Sequence, residues 1–160
     1  MRRLLMISAL GLIAACADAN GANSGTDAAA MTTAEQALPA VLVYKTATCG
    51  CCNGWVEHMR EAGYTVDARD VRDLMTVKRD AGVPVQMSSC HTSLVDGYVV
   101  EGHVPAEQIA RLLAERPEVV GIAAPGMPMG SPGMEQSGLK DPYEVLTFNV
   151  AGKTTVYAKR

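Results

Sequence analysis

The chain is poor in aromatic residues, with one Trp, one Phe and five Tyr among 160 residues, so any core it builds is largely aliphatic. No apolar run reaches the ~20 residues of a membrane-spanning helix, which excludes a span of ordinary length. Positive charge is also scarce. The 14 Lys and Arg stand against 17 Asp and Glu, a formal net charge of −3, and this mild acidity argues against nucleic acid as a partner. No phosphate-binding glycine loop, proton-abstracting dyad or hydrolase nucleophile arrangement is found. What is present is sulfur: five Cys and nine Met, in a chain long enough for one domain.

The N-terminus carries an export pattern. Met1-Arg2-Arg3 is a positive n-region, and the apolar residues 4–15 that follow are too few to span a bilayer. Ile13-Ala14-Ala15-Cys16 has the form of a bacterial lipobox, while Ala15-Cys16-Ala17 and Ala17-Asp18-Ala19 also fit small-x-small peptidase sites. The expectation is a signal peptide over 1–16 with Cys16 as the acylated first residue of the mature chain. That places the protein in the periplasm or cell envelope, touching the membrane only through a lipid anchor. Residues 17–39, rich in Ala, Asn, Gly, Ser, Thr and Asp, read as a flexible tether. The folded domain is expected over 40–160.

Within that domain Val41-Leu42-Val43-Tyr44 reads as a buried strand. From Gly54 to Gly63 the residues Trp55, Val56, Met59 and Ala62 recur at helical spacing, and from Tyr64 to Arg69 apolar and polar residues alternate as in a half-buried strand. Leu74, Val77 and Ala81 mark a second helix that Gly82-Val83-Pro84 ends. Cys90 to Val95 and Tyr98 to Glu101 flank Asp96-Gly97, a tight hairpin turn. Pro105 opens a third helix with Ile109, Leu112 and Leu113 as its buried stripe. The order β-α-β-α-β-β-α is that of a thioredoxin-like α/β domain, and the alternation over Val145–Val150 and Thr154–Tyr157 adds a C-terminal hairpin.

Cys49-Gly50-Cys51-Cys52 lies between the first strand and first helix, where free backbone N–H groups stabilise a thiolate, most of all at Cys49. Cys49 and Cys52 also bound a C-x-x-C, so a redox disulfide between them is one reading. Three sulfurs in four residues, with Cys90 elsewhere, match instead what a soft metal ion wants, above all Cu(I). Zinc held by Cys₃His with His91 is the weaker fit, since it leaves the methionines described next without a role. Two plain structural disulfides are a third reading, strained by the adjacency of Cys51 and Cys52.

His91 and His103 lie on or next to the hairpin that carries Cys90 and are candidate ligands or thiol-orienting partners, whereas His58 falls on the polar face of the first helix, where it is expected to be solvated. Met127, Met129 and Met134 sit in a Gly/Pro-rich loop where no periodicity asks for them as core, and a thioether is a soft ligand that cannot form a disulfide. These methionines are further candidate ligands, or they pack the loop onto the domain.

Four motifs in order carry a family resemblance: Tyr44-Lys45-Thr46-Ala47-Thr48-Cys49-Gly50-Cys51-Cys52, Ser89-Cys90-His91-Thr92, Gly97-Tyr98-Val99-Val100-Glu101-Gly102-His103-Val104-Pro105, and Pro125-Gly126-Met127-Pro128-Met129-Gly130-Ser131-Pro132-Gly133-Met134-Glu135. Across Val41 to Lys159 the chain resembles the DUF411 family, which includes periplasmic CopG-like copper-resistance proteins. The resemblance implies a thioredoxin-like fold in the cell envelope, with copper held by Cys49, Cys51, Cys52 and Cys90. The expected function is thus copper homeostasis or resistance by thiolate binding of Cu(I), as single ions or a multinuclear cluster. Cycling between Cu(I) and Cu(II) is compatible with the same residues, and envelope copper exporters or chaperones are the expected partners. The competing reading is a thiol-disulfide oxidoreductase using Cys49 and Cys52; whether the chain is an enzyme stays open between copper and thiol chemistry.

Overall fold

Strand β1 (Val41–Lys45) forms where the apolar run directs Val41 and Val43 to one buried face. The computed structural model describes residues 37–135 and 138–160. The expected signal peptide with its lipobox, Cys16 and most of the tether lie outside the described residues. After β1 come α1 (Gly50–Glu61), β2 (Val66–Asp70), α2 (Leu74–Asp80), a single 3₁₀ turn (Val85–Met87), β3 (Thr92–Val95), β4 (Tyr98–Gly102), α3 (Ala106–Glu115), β5 (Gly121–Ala124), β6 (Glu144–Phe148) and β7 (Thr154–Lys159). The strands form one mixed sheet in the order β2-β1-β3-β4-β5-β6-β7.

Its pairing is parallel at β1/β2 and β4/β5, and antiparallel at β1/β3, β3/β4, β5/β6 and β6/β7. It follows that β1, β4 and β5 run in one direction and β3 in the other. Three segments that leave strands (after β1, β4 and β5) and the one that enters β3 therefore meet at a single end of the sheet. The Cys49–Cys52 run, Cys90 with His91, His103 and the methionine loop, one group from each sequence motif, lie in those segments.

Each face of the sheet has its own apolar cluster, as the two-residue period of strands requires. Val43, Val95, Val100 and Ile122 pack under Trp55, Val56 and Met59 of α1 and Ile109 and Leu112 of α3. On the opposite face Val99, Ala123 and Phe148 pack with Val83 and Met87 of the segment after α2. Met59 is fully buried, as its place on the apolar face of α1 predicts. Among the described residues no helix is long and apolar enough to cross a membrane.

The structure departs from the sequence reading in four places. Helix α1 starts at Gly50, not Gly54, so Cys51 and Cys52 belong to its first turn and Cys49 is its N-cap. Strand β2 begins at Val66 and is an exposed, charged edge rather than half-buried; its Asp67, Arg69 and Asp70 discourage pairing with another chain. His58 is not simply solvated, because its Nε2 accepts a hydrogen bond from the Ala106 N–H and ties α1 to the start of α3. Strand β5 was not expected, and it is the bridge on which the C-terminal hairpin docks through Gly121–Ala123 against Leu146–Phe148.

Candidate metal centre

The Cys49–Cys52 segment caps α1, where the unpaired N–H groups of a first helical turn face the sheet end. Cys49 and Cys52 are joined by a disulfide with Cα atoms 5.3 Å apart, and Cys51 and Cys90 are free. Cys49 is half-buried while Cys52 is fully buried against the Cys90 carbonyl, 3.5 Å from its sulfur. Cys51 Sγ lies 3.5 Å from Cys49 Sγ and 3.7 Å from Cys90 Sγ. The sulfurs of Cys49, Cys51, Cys52 and Cys90 all fall within 4.8 Å of one another, so two motifs thirty-eight residues apart in the chain share one sulfur cluster.

Cys90 is held in register by a buried ion pair. Lys78 of α2 and Glu101 of β4 are both buried and paired. Glu101 also accepts the Ser89 N–H at 2.6 Å and the Thr92 hydroxyl at 2.7 Å. The carboxylate thus grips the chain on both sides of Cys90 and His91. A buried charge without its partner is costly, so this arrangement fixes one geometry for the Cys90 segment. The Ser89 hydroxyl in turn donates to the Gly126 carbonyl and links this segment to the methionine loop.

The two histidines lie beneath Cys90. His103 Nε2 is 2.8 Å from Cys90 Sγ, and its Nδ1 lies 2.8 Å from the Pro132 carbonyl. His91 Nδ1 lies 3.7 Å from the same sulfur, and its ring sits between Trp55, tilted at 44° with centroids 4.5 Å apart, and His103, edge-on with centroids 5.0 Å apart. His91 Nε2 is buried with no hydrogen-bond partner. Burial drives the His91 imidazole well below its ordinary pKa, with His103 and Lys78 nearby adding to the effect. Burial also lowers His103, against the Pro132 carbonyl that favours its charged form. The Cys90 thiol is pushed up to about 12, first by burial and then by the neighbouring Cys51.

The loop after β5 reaches the same end of the sheet. Gly133 sits at φ +83°, and a Cβ there would stand 2.7 Å from Trp55 N and run into the Cys51 carbonyl; a Cβ on Gly54 would come within 2.9 Å of Gly133 Cα. Two glycines therefore allow the loop to lie directly on the first turns of α1, which brings Pro132 to His103. Met127 is 55% exposed and lines a groove of about 240 Å³ with Ser88, Ser89, Cys90 and Gly126. Met129 and Met134 are half-buried within the loop, whose backbone bonds join Gly130 to Met134 and Met129 to Asp141. Met127 thus shares a groove with Cys90 of the cluster.

Lys78 and Glu101 were not singled out from the sequence, although signals existed. Lys78 lies in the apolar stripe of Leu74, Val77 and Ala81, and Glu101 ends an apolar strand run. A charge on each of two buried faces is the signature of an internal pair.

This fold and site define a class: small mixed α/β proteins that gather thiols and imidazoles at one end of a sheet. Two solved structures, named "Copper resistance protein copG- Form 2" and "Copper resistance protein copG- Form 1", match with TM-scores of 0.74 and 0.73. Each is 44% identical, over 77% of this chain and 98% of the other. The family model described as "Protein of unknown function, DUF411" matches residues 87–134, which contain Cys90, His91, His103 and most of the methionine loop. No curated protein matches the chain. The chain belongs to the DUF411 family, together with these copper resistance proteins.

Proposed function

We propose that this chain is a copper-binding protein of the bacterial cell envelope, acting in copper homeostasis or resistance by holding Cu(I) on the thiolates of Cys49, Cys51, Cys52 and Cys90. The observation that carries this reading is the convergence of four sulfurs within 4.8 Å from two separate motifs. Soft thiolates are the ligand set Cu(I) prefers, and sulfurs this close can bridge more than one ion. Zinc remains the weaker fit. The name shared by the 44% identical relatives supports a copper role. Opening the Cys49–Cys52 disulfide takes two electrons and two protons, supplied by an external dithiol that becomes a disulfide in exchange, and yields the two thiols that complete the set, so metal loading is coupled to thiol redox state; Cu(I)/Cu(II) cycling at the same residues belongs to this reading.

Several finer assignments accompany it. The run β1-α1-β2-α2-β3-β4-α3, with strand order β2-β1-β3-β4 and β1 parallel to β2, supports a thioredoxin-like core carrying the extra strands β5, β6 and β7. Residues 1–16 are a signal peptide with a lipobox, Cys16 the lipid-bearing residue, 17–39 a tether and 40–160 the metal-binding domain. Envelope copper exporters or chaperones are the partners such a carrier serves. Met127, beside Cys90, is a thioether on the way in.

A second reading is favoured by the disulfide itself. A half-buried Cys49 bonded to a buried Cys52 at a helix N-terminus is the arrangement of a thiol-disulfide oxidoreductase. There an external thiolate attacks Cys49 and releases Cys52 as the leaving thiolate. The test is an anaerobic Cu(I) titration of the reduced chain against a chromophoric chelator, with Cys51→Ser and Cys90→Ser beside it. Tight binding weakened in both variants supports the copper reading. Binding no better than an ordinary dithiol gives, unchanged in both variants, overturns it in favour of exchange.

A further inference from the structure

We propose that the groove between α2, with its following 3₁₀ turn, and the β6–β7 turn is the docking face for the protein that exchanges copper with this chain, and that it takes an extended apolar segment carrying a carboxylate. The groove has a volume of about 420 Å³ and is lined by Met75, Arg79, Val83, Pro84, Val85 and Val150. Val85 is 80% exposed and Val150 95%, and Met75 is exposed as well. Large apolar side chains gathered on an open surface mark a face that a partner covers. The turn itself does not ask for Val150, because the Asn149 side-chain oxygen accepts the Ala151 and Lys153 N–H groups and shapes it.

Position and charge choose the occupant. Ser88 lines both this groove and the smaller one that holds Cys90 and Met127, so the apolar track runs on to the sulfur cluster. Lys78, in the groove wall, is the partner of Glu101, and Glu101 accepts the Ser89 N–H. A segment seated there bears on the stretch of chain that carries Cys90. Among the described residues the wall holds Lys78 and Arg79 and no carboxylate, in a chain with more acid than base. Lys78 is neutralised by Glu101 in the interior, whereas Arg79 has the exposed Asp80, a weak surface pair that a partner's carboxylate can replace. A second copy of this chain would set the cationic wall against itself, since a two-fold contact joins like to like. A channel between two walls suits an extended segment better than a flat lipid surface.

This docking face rests on the copper-handling reading, so its test separates the two. Cu(I) is supplied anaerobically to the reduced full-length chain by a chromophoric chelator or by a synthetic peptide, with a Met-x-Met-x-Met end and an extended Val/Leu stretch closed by two Asp. A second peptide closes with two Lys instead. The Asp peptide delivers Cu(I) at least about fivefold faster than the Lys peptide and shifts the amide NMR signals of Met75, Val85 and Val150. Val85→Asp and Val150→Asp each abolish that advantage and Arg79→Glu reverses it, while Cu(I) affinity against the chelator stays at the parent value in all three. Equal rates from the two peptides, or variants that transfer as the parent does, would overturn the proposal. So would groove shifts that appear on concentrating the chain alone, which assign the face to a second copy, or with phosphatidylglycerol vesicles and not with peptide, which assign it to a membrane. Normal Cu(I) binding with equal peptide rates removes only the docking face; a parent chain that holds no Cu(I) against the chelator removes the copper reading.

Discussion

Cys90 Sγ stands 2.8 Å from His103 Nε2, while the opposite nitrogen of that ring, Nδ1, is committed to the Pro132 carbonyl. The carbonyl can only accept, which assigns the ring proton to Nδ1 and leaves Nε2 to receive the Cys90 S–H. With the thiol pushed up and the imidazole held down, the metal-free contact is a neutral hydrogen bond and not a thiolate–imidazolium pair. Cys90 therefore waits protonated, and a metal ion rather than a base draws out its proton.

The first prediction follows from that protonation state. A Cys90 pKa of about 12 against an ordinary value of 9.0 means the folded state favours the neutral thiol. Its contribution to stability is full below the unfolded-chain pKa and is lost as pH rises toward the folded one. In the metal-free chain with Cys49–Cys52 closed, iodoacetamide at pH 8 alkylates Cys90 at least about a hundredfold more slowly than in the urea-unfolded chain, because alkylation needs the thiolate. Equal rates in the two states would contradict the assignment.

The Glu101 carboxylate carries the second prediction. Glu101→Ala strands Lys78 in the interior and frees the Ser89 N–H, at a cost of about 3–5 kcal/mol in urea unfolding. The double variant Lys78→Met with Glu101→Leu recovers much of that stability but leaves Ser89 without its acceptor. Its Cys90 segment is therefore less well fixed, and alkylation of Cys90 is faster than in the parent. A single variant as stable as the parent would show that the pair does not hold this segment.

Two glycines of the methionine loop supply a third prediction by contrast. Gly126→Ala, at φ +72° with open space around it, pays only the backbone penalty of about 1 kcal/mol. Gly133→Ala adds a collision with the Cys51 carbonyl and costs about 3 kcal/mol or more in thermal or urea unfolding. It also lifts the loop from α1, so Cys51 becomes more reactive to alkylation. Equal costs at the two positions would mean the loop does not lie on the helix in solution.

Much of this architecture is legible in the sequence because periodicity and turn chemistry agree. The stripe of α1, the Asp96-Gly97 turn and the Ile109/Leu112 stripe of α3 each carry two independent signals. Strand β5 carries none: Gly121-Ile122-Ala123-Ala124 is short and buried on both faces, and half of it is Ala, which leaves no alternation to read. The start of α1 is hidden for a different reason. Gly50 and two cysteines look like loop, and the helix runs back through them because the N-terminal turn is covered by Gly133 and cross-linked to the N-cap. As for the site, the four cysteines stand out by their spacing. The packing of His103 on Pro132 and of Gly133 on Gly54 depends on contacts between segments some thirty to eighty residues apart, which no local pattern encodes.

Copper K-edge X-ray absorption on the reduced, Cu(I)-loaded chain tests the central claim most directly, since it reads both oxidation state and ligand identity. The account predicts a Cu(I) edge and a first shell of sulfur alone, with less sulfur per copper or less bound copper in Cys51→Ser and in Cys90→Ser. A first shell dominated by nitrogen or oxygen, or a sulfur shell identical in parent and both variants, would contradict it.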